Sequence, residues 1–197
     1  MYRALKLAVC ACAVFAPLGA TTVVSQNQVV ALYGDLIPSD CQSWTRSGGA
    51  YAGFYVFHYS ASGATGSRFR LPEPPPTCLG ECEGPIFLQS PYSRTGSLWA
   101  GITFEYGVCL TGWILVAEVF YLDPSGFGLP WCCEQHVLAH PEASSGQVEA
   151  RDCGGIWRVA EGVSGIIGGD PTCPCSPPTG IEDVSTTWGT VKACFTE

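Results

Sequence analysis

The sequence predicts an all-β fold: a disulfide-stapled antiparallel β-sandwich, Ig-like or jelly-roll-like, followed by a short C-terminal helical tail. Many short segments alternate apolar and polar side chains with a period of two, which is typical of half-buried strands. Glycine- and proline-rich stretches separate these segments, as turns do in sandwiches. Cysteine is abundant, with twelve in 197 residues, which favours a disulfide framework. A β-barrel is the runner-up architecture.

Residues 1–20 have the layout of a secretory signal peptide. Arg3 and Lys6 precede an apolar run at Leu7–Phe15, and the small-residue stretch "PLGA" follows. The run is too short to span a bilayer, and nothing later in the chain supplies about twenty consecutive apolar residues. A buried N-terminal helix and a lipoprotein signal ending before Cys12 are the alternatives. The leader predicts a secreted protein, located extracellularly, at the cell surface or in the periplasm.

The chain without its leader is strongly acidic. The nine basic residues fall to seven while all seventeen acidic residues remain, so the net charge moves from −8 to −10. Such a surface repels nucleic acid and anionic membranes, and neither is predicted as a partner. The expected partners are cell-surface components, glycans or a sorting machinery. No cofactor and no membrane span are predicted.

The predicted sandwich occupies residues 21–175. Its strands in chain order are "QNQVVALYG", "AGFYVFHYS", "SRFRL", "GPIFLQS", "GITFEYG", "WILVAEVFYL", "QVEARD", "GIWRVA" and a weak "SGIIGG". In the second of these, Phe54, Val56 and His58 share one face, and the aromatic residues between them share the other. The stretches "SASGATG" and "DPSGFGLP" are predicted turns, and "LPEPPPTCLGECEGP" is a loop because proline is poorly tolerated in a central strand.

Ten cysteines remain after the leader is removed, enough for up to five disulfides whose connectivity the spacing does not give. If the tail cysteine is set aside, the body holds nine. Either the tail is therefore bridged to the body, or one body thiol is unpaired or joins another chain. The candidates are Cys41, Cys78, Cys82, Cys109, Cys132, Cys133, Cys153, Cys173, Cys175 and Cys194.

Residues 176–197 form a linker, "SPPTG", and a C-terminal tail. Thr187 is suited to cap a short helix, with Trp188, Val191 and Phe195 on one face. Gly189 weakens that helix, so it has to dock on a surface or be bound by a receptor.

The tail "VSTTWGTVKACF" resembles the Thr-Trp-Gly-x-(Ile/Val)-Lys ending of a set of uncharacterised secreted bacterial proteins. The segments "GVCLTGWI", "CCEQHVLAHPEASSGQVEARDC" and "CPC" are similar to the same set and occur in the same order. The resemblance implies a secreted β-rich module whose tail acts in sorting or surface attachment. It assigns tail recognition to Thr187, Trp188, Gly189, Lys192 and Phe195. The chain departs from the pattern at Cys194, where an aliphatic residue is usual.

The segment "WCCEQHVLAH" raises the question of a metal site. In a helix, Cys133, His136 and His140 would share a face and could bind zinc. In a strand the two histidines would lie about 13 Å apart, which is too far for one metal ion. Prolines at both ends and predicted strands around it favour a strand, so we predict disulfides here and no metal, with those three residues as the alternative site.

No catalytic residue is predicted. Nucleophilic hydrolysis requires a histidine base, and the chain contains only His58, His136 and His140, with no Gly-x-Ser-x-Gly elbow. Glu105 and Glu118 fall in neighbouring predicted strands, which leaves paired carboxylates as candidates for glycoside hydrolysis.

We therefore predict a non-enzymatic secreted module for surface structure, adhesion or binding, with a tail for sorting or attachment. The alternative is a secreted hydrolase or carbohydrate-binding module that uses acidic and aromatic residues on one sheet face. Glu105, Glu118 and Trp99 are the residues that would carry the alternative, because aromatic rings stack on sugars and carboxylates bind or hydrolyse them.

Overall fold

A computed structural model describes residues 28–46, 51–73, 83–122, 133–167 and 173. These residues contain eleven strands and no helix. The strands are β1 (Gln28–Tyr33), β2 (Trp44–Arg46), β3 (Tyr51–Phe69), β4 (Glu83–Gln89), β5 (Ser93–Ser97), β6 (Gly101–Leu122), β7 (Cys133–Gln135), β8 (Glu149–Asp152), β9 (Trp157–Val159), β10 (Glu161–Val163) and β11 (Gly165–Ile167). The predicted signal peptide and the predicted C-terminal tail lie outside the described residues.

Two long antiparallel strands, β3 and β6, form the centre of the fold. They pair from Tyr51 opposite Leu122 to Phe69 opposite Ile102, with register shifts between Ser60 and Gly66. The prediction of a turn at "SASGATG" is wrong, because β3 continues through it. The predicted strands "GITFEYG" and "WILVAEVFYL" likewise belong to the single strand β6.

Glycines explain why the two strands bend without ending. Gly63 in β3 and both Gly107 and Gly112 in β6 have positive φ angles of 93°, 76° and 78°. This backbone conformation is strained for other residues, and it permits bulges within a continuous ladder. Turn-like composition therefore marks a bend in a long strand pair here.

The bend divides the sheet into two layers. The first half of β3 and the second half of β6 pair with β1 and β4 in the first layer, whereas their other halves pair with β8 and β5 in the second. Phe87 of β4 stacks on Phe104 in the first half of β6, with ring centroids 6.4 Å apart, so the layers face each other. The predicted sandwich is confirmed. The strands that the structure describes pair antiparallel, except that β1 and β10 pair parallel.

The alternation in "AGFYVFHYS" is confirmed. Phe54 and Val56 are fully buried in the core between the layers, and His58 points inward with them. Phe57 belongs to a second apolar cluster with residues of β1, on the outer face of the first layer. The Trp113 ring contacts Phe57 edge-on, with ring centroids 6.0 Å apart.

The described residues include one disulfide with both partners placed, Cys109–Cys153, whose Cα atoms are 5.3 Å apart. It joins the bend of β6 to the residue that follows β8. Cys41 and Cys173 are also disulfide-bonded, and Cys133 is buried in β7. The remaining candidates lie outside the described residues: Cys78, Cys82, Cys132, Cys175 and Cys194.

Candidate functional site

The two carboxylates proposed for glycoside hydrolysis do not converge. Glu105 and Glu118 both lie in β6, not in neighbouring strands, and they occupy the outer faces of different layers. Glu105 forms an ion pair with Arg151. Glu118 is buried in the first layer and accepts a hydrogen bond of 2.9 Å from Nε2 of Gln89. Paired carboxylates in glycosidases lie within about 10 Å of each other across a substrate, an arrangement that these two residues do not form.

His136 lies beside a serine and a glutamate, but its geometry does not form a catalytic relay. Oγ of Ser164 and Oε1 of Glu134 lie 3.1 Å and 3.4 Å from the same ring nitrogen, Nδ1. A relay needs the nucleophile on one nitrogen and the orienting acid on the other. The two side chains therefore compete for a single position, and Ser164 gains no base.

His58 is fully buried between the layers. Its Nδ1 lies 2.9 Å from the hydroxyl oxygen of Tyr106, and that hydroxyl donates to Oγ of Ser67 at 2.9 Å. Burial lowers the pKa of His58 to about 3 and raises the pKa of Tyr106. All three side chains are closed to a substrate, so this chain of polar groups connects the layers and is not an active site.

The segment "WCCEQHVLAH" is extended where the structure describes it, and Cys133 begins β7. Cys133 is buried, His136 is half-exposed, and Nδ1 of His140 accepts a hydrogen bond from the backbone N–H of Glu142. These three candidate ligands are not brought together, and the part of the chain that is described contains no group of three metal-binding side chains.

Charged residues cover the outer face of the second layer, where they compensate one another. Arg68 donates to Glu149 at 2.7 Å and Arg151 pairs with Glu105 on this face. On the other side of β8 and β9, Arg158 lies 3.1 Å from Asp152. The Trp157 ring lies under the guanidinium groups of Arg68 and Arg151, 4.5 Å and 5.6 Å from its centroid. Because these charged side chains pair with one another, they have little to offer a ligand.

The open edge of the sandwich is different. Strands β4 and β5 pair with β6, and among the described strands they are the edge strands of the two layers. A groove of about 450 Å³, a size typical of small-ligand sites, lies between them. We call it the open-edge groove; its wall consists mainly of Pro85, Ile86, Phe87, Arg94, Leu98 and Trp99.

Trp99 presents an exposed aromatic surface in a fixed orientation. Its side chain is 49% exposed. The indole N–H donates a hydrogen bond of 2.9 Å to the carbonyl oxygen of Pro85. Oγ of Ser97 accepts a hydrogen bond from the N–H of Ala100, which closes the turn that carries the ring. An exposed ring held in this way loses little conformational entropy when it binds a ligand.

Arg94 is the cation of the groove. The central carbon of its guanidinium group lies 3.3 Å from the centroid of the Phe87 ring, and Phe87 stacks in turn on Phe104 in the core. Arg94 is exposed, and it forms no ion pair with any carboxylate that the structure describes. One face of the guanidinium group is therefore packed while its N–H groups stay available.

Sequence reasoning identified Trp99 as a candidate but missed Arg94. Neither Glu105 nor Glu118 lines the open-edge groove, so the predicted acidic and aromatic set is not assembled there. All five residues of β5 are exposed. Without alternation, the segment gave no sign of being a strand, and its arginine could not be assigned to a site.

Comparisons with known proteins give little further information. No protein-family model and no curated protein matches the sequence. Among solved structures, the chain is similar to the seventh ScaB type I cohesin from Pseudobacteroides cellulosolvens, with a TM-score of 0.44 and 14% identity, over 78% of this chain and 98% of that one. A likeness at this level carries no argument about function. No helix among the described residues is long and apolar enough to cross a membrane.

Proposed function

We propose that this chain is an exported, non-enzymatic β-sandwich module that binds its ligand in the open-edge groove. The observation that carries the proposal is the pairing of a fixed, exposed indole with an arginine that has no carboxylate partner among the described residues. Aromatic side chains and arginine are the residues most enriched at binding hot spots. Arg68, Arg151 and Arg158, in contrast, each pair with a carboxylate of the protein.

Export is supported by the signal-peptide pattern and by the disulfides. Cys109–Cys153 is placed, and both Cys41 and Cys173 are bonded. Disulfides of this kind persist in oxidising compartments and are rare in reducing ones. A binding role without catalysis is supported by the geometry of His58 and His136, since neither histidine has both a nucleophile and an orienting acid in place.

The proposal predicts where a ligand will perturb the protein. We expect ¹⁵N-labelled full-length chain, titrated with a panel of oligosaccharides and short peptides, to show its largest chemical-shift changes at the indole N–H of Trp99 and the Nε–H of Arg94. Trp99→Ala should weaken binding of the same ligand at least about tenfold, because the stacked ring is lost. Tyr51→Ala removes an aromatic ring that is 38% exposed and outside the groove, and it should leave binding unchanged.

Two results would contradict the proposal. One is a panel in which no member perturbs the groove. The other is a ligand whose shifts cluster on the ion-paired face around Trp157 or beside His136, with Trp99→Ala binding normally.

The C-terminal tail has a separate proposed role, which rests on its resemblance to the endings of secreted bacterial proteins. We propose that residues 176–197 act in sorting or surface attachment. Removing them should shift the protein from the cell surface to the medium. Trp188→Ala should have the same effect if the tail is bound by a receptor. An unchanged distribution between cells and medium for both variants would refute the role.

A further inference from the structure

We infer that the ligand of the open-edge groove is an acidic saccharide, a sugar chain that carries a carboxylate. The inference rests on the proposed function of the groove and specifies its ligand class. It follows from the chemistry of two side chains, Trp99 and Arg94, and from the irregular strand edges beside them.

Trp99 is suited to bind the face of a sugar ring. Its indole N–H is already used in the hydrogen bond to the carbonyl oxygen of Pro85, so the ring offers its apolar faces and not its polar edge. The C–H groups on one side of a pyranose form a flat apolar surface that packs on such a face. Trp99 is large and half-exposed, and the turn that carries it is fixed by Ser97.

Arg94 supplies the preference for an anion, because the described wall of the groove contains this arginine and no carboxylate, although the chain as a whole is acidic. Its guanidinium group is stacked on Phe87, which restricts its orientation. A planar guanidinium binds a carboxylate through two parallel hydrogen bonds, and orienting it in advance reduces the entropy lost on binding. Arg68, Arg151 and Arg158 each pair with a carboxylate of the protein itself. Arg70 also has no ion pair, but its Nε is buried, whereas Arg94 is exposed.

The groove is better suited to a sugar than to a peptide strand. A peptide that extends a sheet needs a regular edge with free N–H and C=O groups. Pro85 has no N–H, and its carbonyl oxygen is occupied by Trp99. The pairing of β4 shifts register twice, between Glu83 and Ile86 and again after Phe87. Gly96 in β5 has a φ of 88°. Such irregular edges resist the addition of a peptide strand. The groove is therefore expected to bind its ligand through side chains and not through backbone pairing.

The test compares each acidic saccharide with its own neutral form. We would titrate the full chain by calorimetry with tetragalacturonate, a hyaluronan tetrasaccharide and a short oligoalginate, each also as the methyl ester. Esterification removes the charge and keeps the sugar rings. At least one acid should bind, and its ester should bind about tenfold or more weakly, since a charged hydrogen-bonded pair is lost.

Variants separate the roles of the two side chains. Arg94→Gln should bind acid and ester with equal, weakened affinity, whereas Trp99→Ala should weaken both. Arg158→Gln, an exposed arginine on the second layer, is the matched control and should retain the preference for the acid. Circular dichroism and the remaining NMR signals would show that each variant is folded.

The outcomes distinguish this inference from the proposed function. One outcome is that neutral saccharides or acidic peptides bind in the groove, that Trp99→Ala weakens this binding, and that no acid binds more tightly than its ester. The ligand class would then be wrong, but the groove would still be the binding site. If no saccharide binds, and Trp99→Ala leaves the affinity for the ligands that do bind unchanged, then both the ligand class and the binding site are wrong. A preference for the acid that survives in Arg94→Gln would overturn the role of that arginine.

Discussion

His58→Gln is expected to remove most of the loss of stability that the protein shows between pH 6.5 and pH 4. Burial between the layers lowers the pKa of His58 to about 3, from an ordinary value of 6.5. Between these two values the unfolded chain binds a proton that the folded protein does not bind, so the free energy of unfolding falls as the pH falls. At about 1.4 kcal/mol per pH unit, the loss between pH 6.5 and pH 4 is about 3 kcal/mol.

The surroundings of His58 explain why folding keeps it neutral. Nδ1 contacts the hydroxyl of Tyr106, and Nε2 has no hydrogen-bond partner among the described residues. No described carboxylate is bonded to the ring, so nothing offsets the cost of burying a charge. The pKa values of Glu149 and Asp152 are also lowered, so these carboxylates also make the free energy of unfolding fall as the pH falls. They do so only near and below their ordinary pKa values, 4.5 and 3.8.

Urea unfolding at a series of pH values measures the effect. The plot of unfolding free energy against pH should be much less steep for His58→Gln than for wild type down to about pH 4.5, where the carboxylates begin to contribute. The slope that remains is expected from His140, whose pKa is also lowered by partial burial. His136→Gln, the same substitution in a half-exposed ring, is the matched control. Equal slopes for wild type and His58→Gln would show that His58 is not the group that titrates.

The sequence predicted the faces of strands better than their ends. Alternation in "AGFYVFHYS" correctly separated Phe54, Val56 and His58 from the outer face, because burial of one side of a sheet imposes a period of two. The same reasoning divided β3 and β6 at their glycines. Whether a glycine ends a strand or bends it depends on the partner strand, and β6 bends where β3 does. That information is not local to either segment.

The candidate site was harder to predict for a similar reason. Arg94 contacts Phe87 although β4 and β5 do not pair with each other, because the bend of β6 brings the two edges together. Glu105 and Glu118 were proposed as a pair because their segments looked like separate neighbouring strands. They lie in one strand, and the bend directs them to different faces. An error in one strand boundary thus became an error in the site.

Replacing both Cys109 and Cys153 by serine is expected to destabilise the protein by about 4 kcal/mol. The bridge closes a loop whose ends are 44 residues apart in sequence, and a cross-link over that length restricts the unfolded chain by about this amount. In the folded protein it joins the bend of β6 to the end of β8, beside Gly63 of β3. The strands that cross between the layers are therefore held together at the point where the ladder is irregular.

Urea unfolding of the full chain, with its other disulfides oxidised, measures this loss as a lower midpoint. The double change Val108→Ser with Ile156→Ser is a suitable control, because these side chains are 60% and 52% exposed close to the bridge. Surface changes of this kind should stay within about 0.5 kcal/mol of wild type. A loss below about 1 kcal/mol for the serine pair would mean that the β3–β6 ladder holds the bend without the bridge. The bend would then be held by the hydrogen bonds of the ladder and by core packing, without this bridge.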